Sequence, residues 1–137
     1  MRLSVAVCLL IVGSGLELSA CSCPGPPPPK KALEAATAVC LAEVVKIEEG
    51  EQQRMVTLKV EKWWKGGDKA ELVVSTGKNG AICGYSFERG KKYLIYAGGG
   101  EKDKPLRVSL CSRTRTEKEA EKSGDFKELG EGTAPVK

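Results

Sequence analysis

The chain reads as a mainly β protein, a small antiparallel barrel stapled by disulfides. Three observations predict this. Five short apolar or alternating runs follow one another between glycine-bearing turns. Aromatic residues make up only 5% of the chain, so the core must be built from Val, Leu, Ile and Ala. The six cysteines follow a stretch with the marks of an export signal, or lie within it.

The amino end sets the redox compartment. Arg2 supplies a short positive region, and Leu3 to Val12 is almost wholly apolar. About 10 apolar residues are too few to span a bilayer, which needs ~20, but they suit a signal sequence. Ser19-Ala20 places small residues before Cys21, so cleavage there is expected, with residues 1–20 removed. No second apolar run follows, and no membrane span is expected in the mature chain.

Cys8 leaves with the signal. Cys21, Cys23, Cys40, Cys83 and Cys111 remain, and five is an odd number. Two accounts are open. Cys40, inside an apolar run, is a free buried thiol; or Cys21 is chemically modified. Leu18-Ser19-Ala20-Cys21 fits the pattern at which bacterial lipoproteins are cleaved and acylated. A zinc site is disfavoured, because Cys21-x-Cys23 is tighter than the usual ligand spacing and the chain has no histidine.

Cys23-Pro-Gly-Pro-Pro-Pro-Pro follows as a stiff, extended connector. Lys30 to Ala38 is Ala-rich and predicts a short helix. Val39 to Ile47 predicts the first strand, and Gly50-Glu51 the turn after it. Met55 to Trp63 alternates, with Val56, Leu58 and Val60 on one face and Thr57, Lys59 and Glu61 on the other. Of the adjacent pair Trp63 and Trp64, one faces the core and the other solvent, at an edge or stacked on a partner. Gly66-Gly67-Asp68 turns into Ala70 to Ser75, the third strand. Thr76 to Gly80 is a polar loop. Glu88-Arg89-Gly90 leads to Lys92 to Ala97, and Leu106 to Cys111 is the fifth strand. Thr116 to Leu129 predicts one charged helix, frayed beyond to Lys137. Five strands with this spacing fit a Greek-key barrel of the oligonucleotide/oligosaccharide-binding (OB) type, with a sandwich as the alternative.

Composition also narrows function. Without histidine there is neither a Ser-His-Asp nor a Cys-His arrangement, so an enzyme is not expected. Glu48-Glu49 sits at a turn and reads as a solvated rim. A redox role for Cys21-Ser22-Cys23 is outweighed by two separate disulfide ends. The net charge of +4 is spread among alternating signs with no basic stripe, which argues against nucleic acid.

The mature chain thus begins Cys21-Ser22-Cys23, continues through Ala38-Val39-Cys40-Leu41-Ala42-Glu43-Val44-Val45 and Ala81-Ile82-Cys83-Gly84-Tyr85, and closes on Leu110-Cys111. This order, with the strand Tyr93-Leu94-Ile95, resembles the inhibitory domain of the tissue inhibitors of metalloproteinases and shorter bacterial netrin-like proteins. The resemblance spans about Cys21 to Cys111, with a domain at 21–115 and a charged helix and tail at 116–137. It implies two bridges, Cys21–Cys83 and Cys23–Cys111, closing loops of about 62 and about 88 residues, each worth on the order of 4–5 kcal/mol. The animal inhibitors have a third bridge from near the position of Cys40, for which no partner follows Cys111.

The resemblance also implies a function. The free α-amine and carbonyl of Cys21 would chelate the catalytic zinc of a target protease, the metal being held in trans and no cofactor being resident. Ser22 would face the specificity pocket. Cys23, Pro24, Ala81 and Ile82 would complete the contact ridge. The partner implied is an extracellular zinc metalloproteinase or another protein, and a monomer is expected, secreted or periplasmic. The alternative is a netrin-like binding module without inhibitory activity, secreted or membrane-anchored through an acylated Cys21.

Overall fold

The computed structural model describes residues 21–137, and the expected export signal at 1–20 lies outside them. The elements are α1 (Pro29–Ala35), β1 (Ala38–Glu49), β2 (Gln53–Lys65), β3 (Glu71–Gly77), a single 3-10 turn (Gly80–Ile82), β4 (Lys92–Gly99), β5 (Leu106–Arg107), β6 (Arg115–Thr116), α2 (Glu117–Lys122) and α3 (Asp125–Leu129). The sheet runs β1-β2-β3-β5-β4-β6, and β1 also pairs with β4. Five strands therefore close into a ring. All pairings are antiparallel except β3 with β5, which is parallel at Val74↔Leu106 and Ser75↔Arg107. The expected mainly β, OB-like Greek-key barrel is the fold.

The interior is filled from alternate positions of each strand. β1 sends in Ala38, Cys40, Ala42 and Val44, β2 sends in Val56, Leu58 and Val60, and β4 sends in Tyr93, Ile95 and Ala97. Tyr85, Phe87 and Tyr93 pack as an aromatic group, with ring centroids 4.8–5.8 Å apart. A second cluster lies outside the barrel, where Val39, Leu94 and Tyr96 meet Ala32 of α1, Ala120 of α2 and Phe126 and Leu129 of α3. Strands β1 and β4 are thus covered on both faces. That is why their sequences read as unbroken apolar runs while β2 alternates.

Several expected boundaries move. The first helix starts at Pro29, where proline suits the first helical position, and ends at Ala35, because Ala38 is drawn into β1. The fifth strand shrinks to two residues; beyond it Ser109 bridges Gly84. A sixth strand, β6, adds to β4 at Tyr93↔Thr116 and Leu94↔Arg115. The single charged helix expected over 116–129 is two, broken at Gly124, whose φ of 77° is left-handed. Thr116 opens α2 with a reciprocal capping box to Glu119. The tail is not frayed. Thr133 exchanges backbone hydrogen bonds with Trp63, and the Val136 amide donates to the Asp68 carbonyl.

Both tryptophans are covered, against the expectation that one faces solvent. Trp63 is buried in the barrel and donates to the Lys69 carbonyl. Trp64 does not face open solvent: it is half-buried, packs 5.8 Å from the Phe126 ring and donates to the Gly130 carbonyl. The C-terminal helices supply the cover that neighbouring sequence did not reveal.

Candidate functional site

The two disulfides join Cys21 to Cys83 and Cys23 to Cys111, with Cα separations of 5.3 and 5.1 Å. Both distances are ordinary for unforced bridges. They fasten the amino-terminal arm across two loops at one end of the barrel. One loop follows β3 and the other follows β5. Those loops are themselves joined, since the Leu110 amide donates to the Cys83 carbonyl at 2.8 Å and Gly84 bridges Ser109.

The loop after β3 is shaped by its own residues. The Asn79 side chain accepts from the amides of Ala81 and Ile82 at 3.0 and 3.3 Å. That Asx-type turn holds the 3-10 segment and leaves both side chains outward. Cys83 then adopts a left-handed backbone with φ 61°. At Gly84 a Cβ would sit 1.9 Å from the Gly77 carbonyl oxygen, so only glycine allows the two strands of the loop to approach.

The resulting surface is a low, uncharged ridge. Cys21 is half-buried and Ser22, Cys23 and Pro24 are exposed. Ala81 is exposed beside Ile82, which is 46% exposed. Leu110, 45% exposed and adjacent to Cys111, joins them. A large apolar side chain thus stands next to one cysteine of each bridge. All six residues expected to form the ridge belong to segments these bridges bring together. Leu110 was missed because alternation within Leu106–Cys111 gives it no special mark; only the shortening of β5 turns it outward.

The sulfur of Cys21 lies 3.7 Å from that of Cys111, and the sulfurs of Cys21, Cys23 and Cys111 all fall within 4.8 Å of one another. In the paired state these sulfurs are bonded as disulfides and offer no thiolate to a metal. The odd cysteine is Cys40, which is free, buried in the barrel, and has its thiol pushed up to about 12 by desolvation. Glu48 and Glu49 are exposed and pair with Lys46 and Arg54, as a solvated rim should.

Behind the arm lies an apolar groove of about 550 Å³ between α1 and β4, with Pro27, Cys111 and Arg113 on its lining. The arm therefore stands beside open space and is held by tethers more than by packing. Among the described residues, no helix is long and apolar enough to cross a membrane. No protein-family model matches the chain, and no curated protein matches it.

Proposed function

We propose that the mature chain, beginning at Cys21, is a non-catalytic inhibitor that docks its amino-terminal ridge in the active-site cleft of a zinc metalloproteinase. The observation that carries this reading is the pair of bridges that present Cys21-Ser22-Cys23 beside exposed Ala81, Ile82 and Leu110. Once residue 20 is removed, the α-amine and carbonyl of Cys21 form a five-membered chelate. Such an amine has a pKa near ~8, so it is partly neutral at physiological pH, and zinc can displace the remaining proton. The chelate replaces the water that a catalytic zinc keeps in its open position. Ser22 is small enough to enter a specificity pocket without clash. Ile82 and Leu110 add apolar contact on either side. Two covalent ties and a proline-rich arm lower the ordering cost of binding.

The other reading is a netrin-like binding module without inhibitory activity, secreted or anchored by lipid on Cys21. The Cys21–Cys83 bridge favours the free form, because one sulfur cannot bond to both Cys83 and a lipid. Intact mass and amino-terminal sequencing of the mature protein separate a free from an acylated Cys21. A free Cys21 is expected, and chain carrying it should inhibit at least one protease of a zinc-metalloproteinase panel. One extra alanine ahead of Cys21 should weaken that inhibition at least ~100-fold, by removing the chelate while leaving the apolar contacts in place. Unchanged potency in the extended form would rule out zinc chelation, and an acylated Cys21 would favour the anchored module.

A further inference from the structure

We infer that Arg113, aimed by the buried carboxylate of Asp125, is the positioning residue for the amino-terminal arm. This rests on the reading of the arm as the docking ridge, but its test does not. Residues 24–29 are five prolines and one glycine, so Gly25 has the only backbone N–H in the stretch. A segment with so few donors can be held by hydrogen bonds almost only through its carbonyls, and the matching partner is a side chain rich in N–H groups.

Arg113 fills that role. Its Nη1 donates to the Pro27 carbonyl at 3.0 Å. Its Nε and Nη2 both donate to Asp125, at 2.7 Å each, in a two-pronged pair. Asp125 is fully buried at the start of α3, where it also accepts from the Tyr96 hydroxyl at 2.9 Å and the Ser123 hydroxyl at 2.5 Å. The carboxylate therefore has one orientation, and so does the guanidinium locked to it. Arg113 lies two residues beyond Cys111, whose bridge holds Cys23. The segment Cys111–Arg113 thus grips the arm twice, covalently at Cys23 and by hydrogen bond at Pro27. Without the second grip the stretch beside the open groove would be held only at its ends, by the Cys23 bridge and by α1, where the Pro28 carbonyl accepts from Ala32. The helix α3, which carries Asp125, would then decide how steadily the ridge is presented.

The Gly25 amide is a native probe of this arrangement. Amide relaxation by NMR on the bridged chain from Cys21 should give a rigid value at Gly25, with an order parameter near ~0.85. Arg113→Lys keeps a positive charge for Asp125 but cannot hold both the carboxylate and Pro27, and Gly25 should fall below ~0.6. Asp125→Asn leaves the guanidinium present but unaimed, and Gly25 should loosen there too. Val56→Ala, a barrel-interior change far from the arm in sequence, should leave Gly25 rigid. A rigid Gly25 in the Arg113 variant, or in Asp125→Asn if the former does not fold, overturns the proposal. So does equal loosening in Val56→Ala, which would trace the effect to general destabilisation. Inhibition is scored separately. Loosening with at least 10-fold weaker inhibition supports both readings, whereas loosening without any effect on an inhibited protease supports the positioning role and counts against the ridge as the docking surface.

Discussion

Removing the Cys23–Cys111 bridge should lower the melting temperature of the chain that keeps Cys21–Cys83 by about 12–16 °C. The perturbation is the pair Cys23→Ala and Cys111→Ala, made together so that no single thiol is left to attack the neighbouring bridge 3.7 Å away. The two cysteines are 88 residues apart in sequence, but the retained Cys21–Cys83 bridge shortens the path between them to about 30 residues, from Cys23 to Cys21 and from Cys83 to Cys111. In the chain-entropy model, a loop of about 30 residues raises the free energy of the unfolded state by about 3.5 kcal/mol. A chain of 117 residues melts with an entropy of about 0.25 kcal/mol per degree, which converts that loss into the stated shift. The Cα separation of 5.1 Å requires no displacement of the backbone, so little native-state strain is relieved to offset it. The assay is circular dichroism during heating of the oxidised protein, with two-state behaviour checked against urea unfolding. A shift below about 3 °C would refute the reasoning, because it would mean that the unfolded chain is already compact enough for the bridge to restrict nothing. Reduction of both bridges removes a share comparable with the total stability of such a domain, so the reduced chain should be largely unfolded at 37 °C.

Three further expectations follow from the packing. Cys40 should resist a thiol reagent in the native state, since a thiol near pKa 12 is only ~1 part in 10,000 thiolate at pH 8, and should react once when the chain is unfolded; stoichiometric labelling of native protein would contradict its burial. Burial alone would push the Asp125 carboxyl up, but hydrogen bonds from Arg113, Ser123 and Tyr96 outweigh that and hold it below the usual carboxylate range. Its contribution to stability is therefore complete above the unfolded value of about 4 and lost as pH falls through the lower folded value. Asp125→Asn should cost about 3–5 kcal/mol at neutral pH, with the gap to the native chain narrowing below about pH 4; urea titrations across pH 2–7 that keep a constant gap would exclude this carboxylate as the source. Trp64→Ala should cost about 2 kcal/mol by stripping the half-buried ring from Phe126 and its hydrogen bond from Gly130, with the loss read by urea unfolding; a change within about 0.5 kcal/mol would show that α3 docks without it.

Much of the barrel was legible because its signals are local. The alternation of Met55–Trp63 and the turns at Gly50 and Gly66 act over two to four neighbouring positions. Strands β1 to β4 accordingly lie within two residues of their expected ends. The bridges were legible only through resemblance, because cysteine spacing by itself left the pairing open. Cys40 shows the limit from the other side. Its apolar neighbours allowed a buried free thiol, but burial in the barrel followed from its inward alternation in β1.

The chain alone thus determined strand count to within one, the β class and the extended proline arm. Tertiary structure decided what long-range contacts decide: the β1–β4 closure, the cover that takes Trp64 from solvent, the placing of Leu110 on the ridge, and the hold of Arg113 and Asp125 on Pro27. The physical reason is the same in each case. A local pattern reports which side of its own strand or helix a residue occupies, whereas the partner on that side comes from chain up to 86 residues away and leaves no periodic trace where it will land.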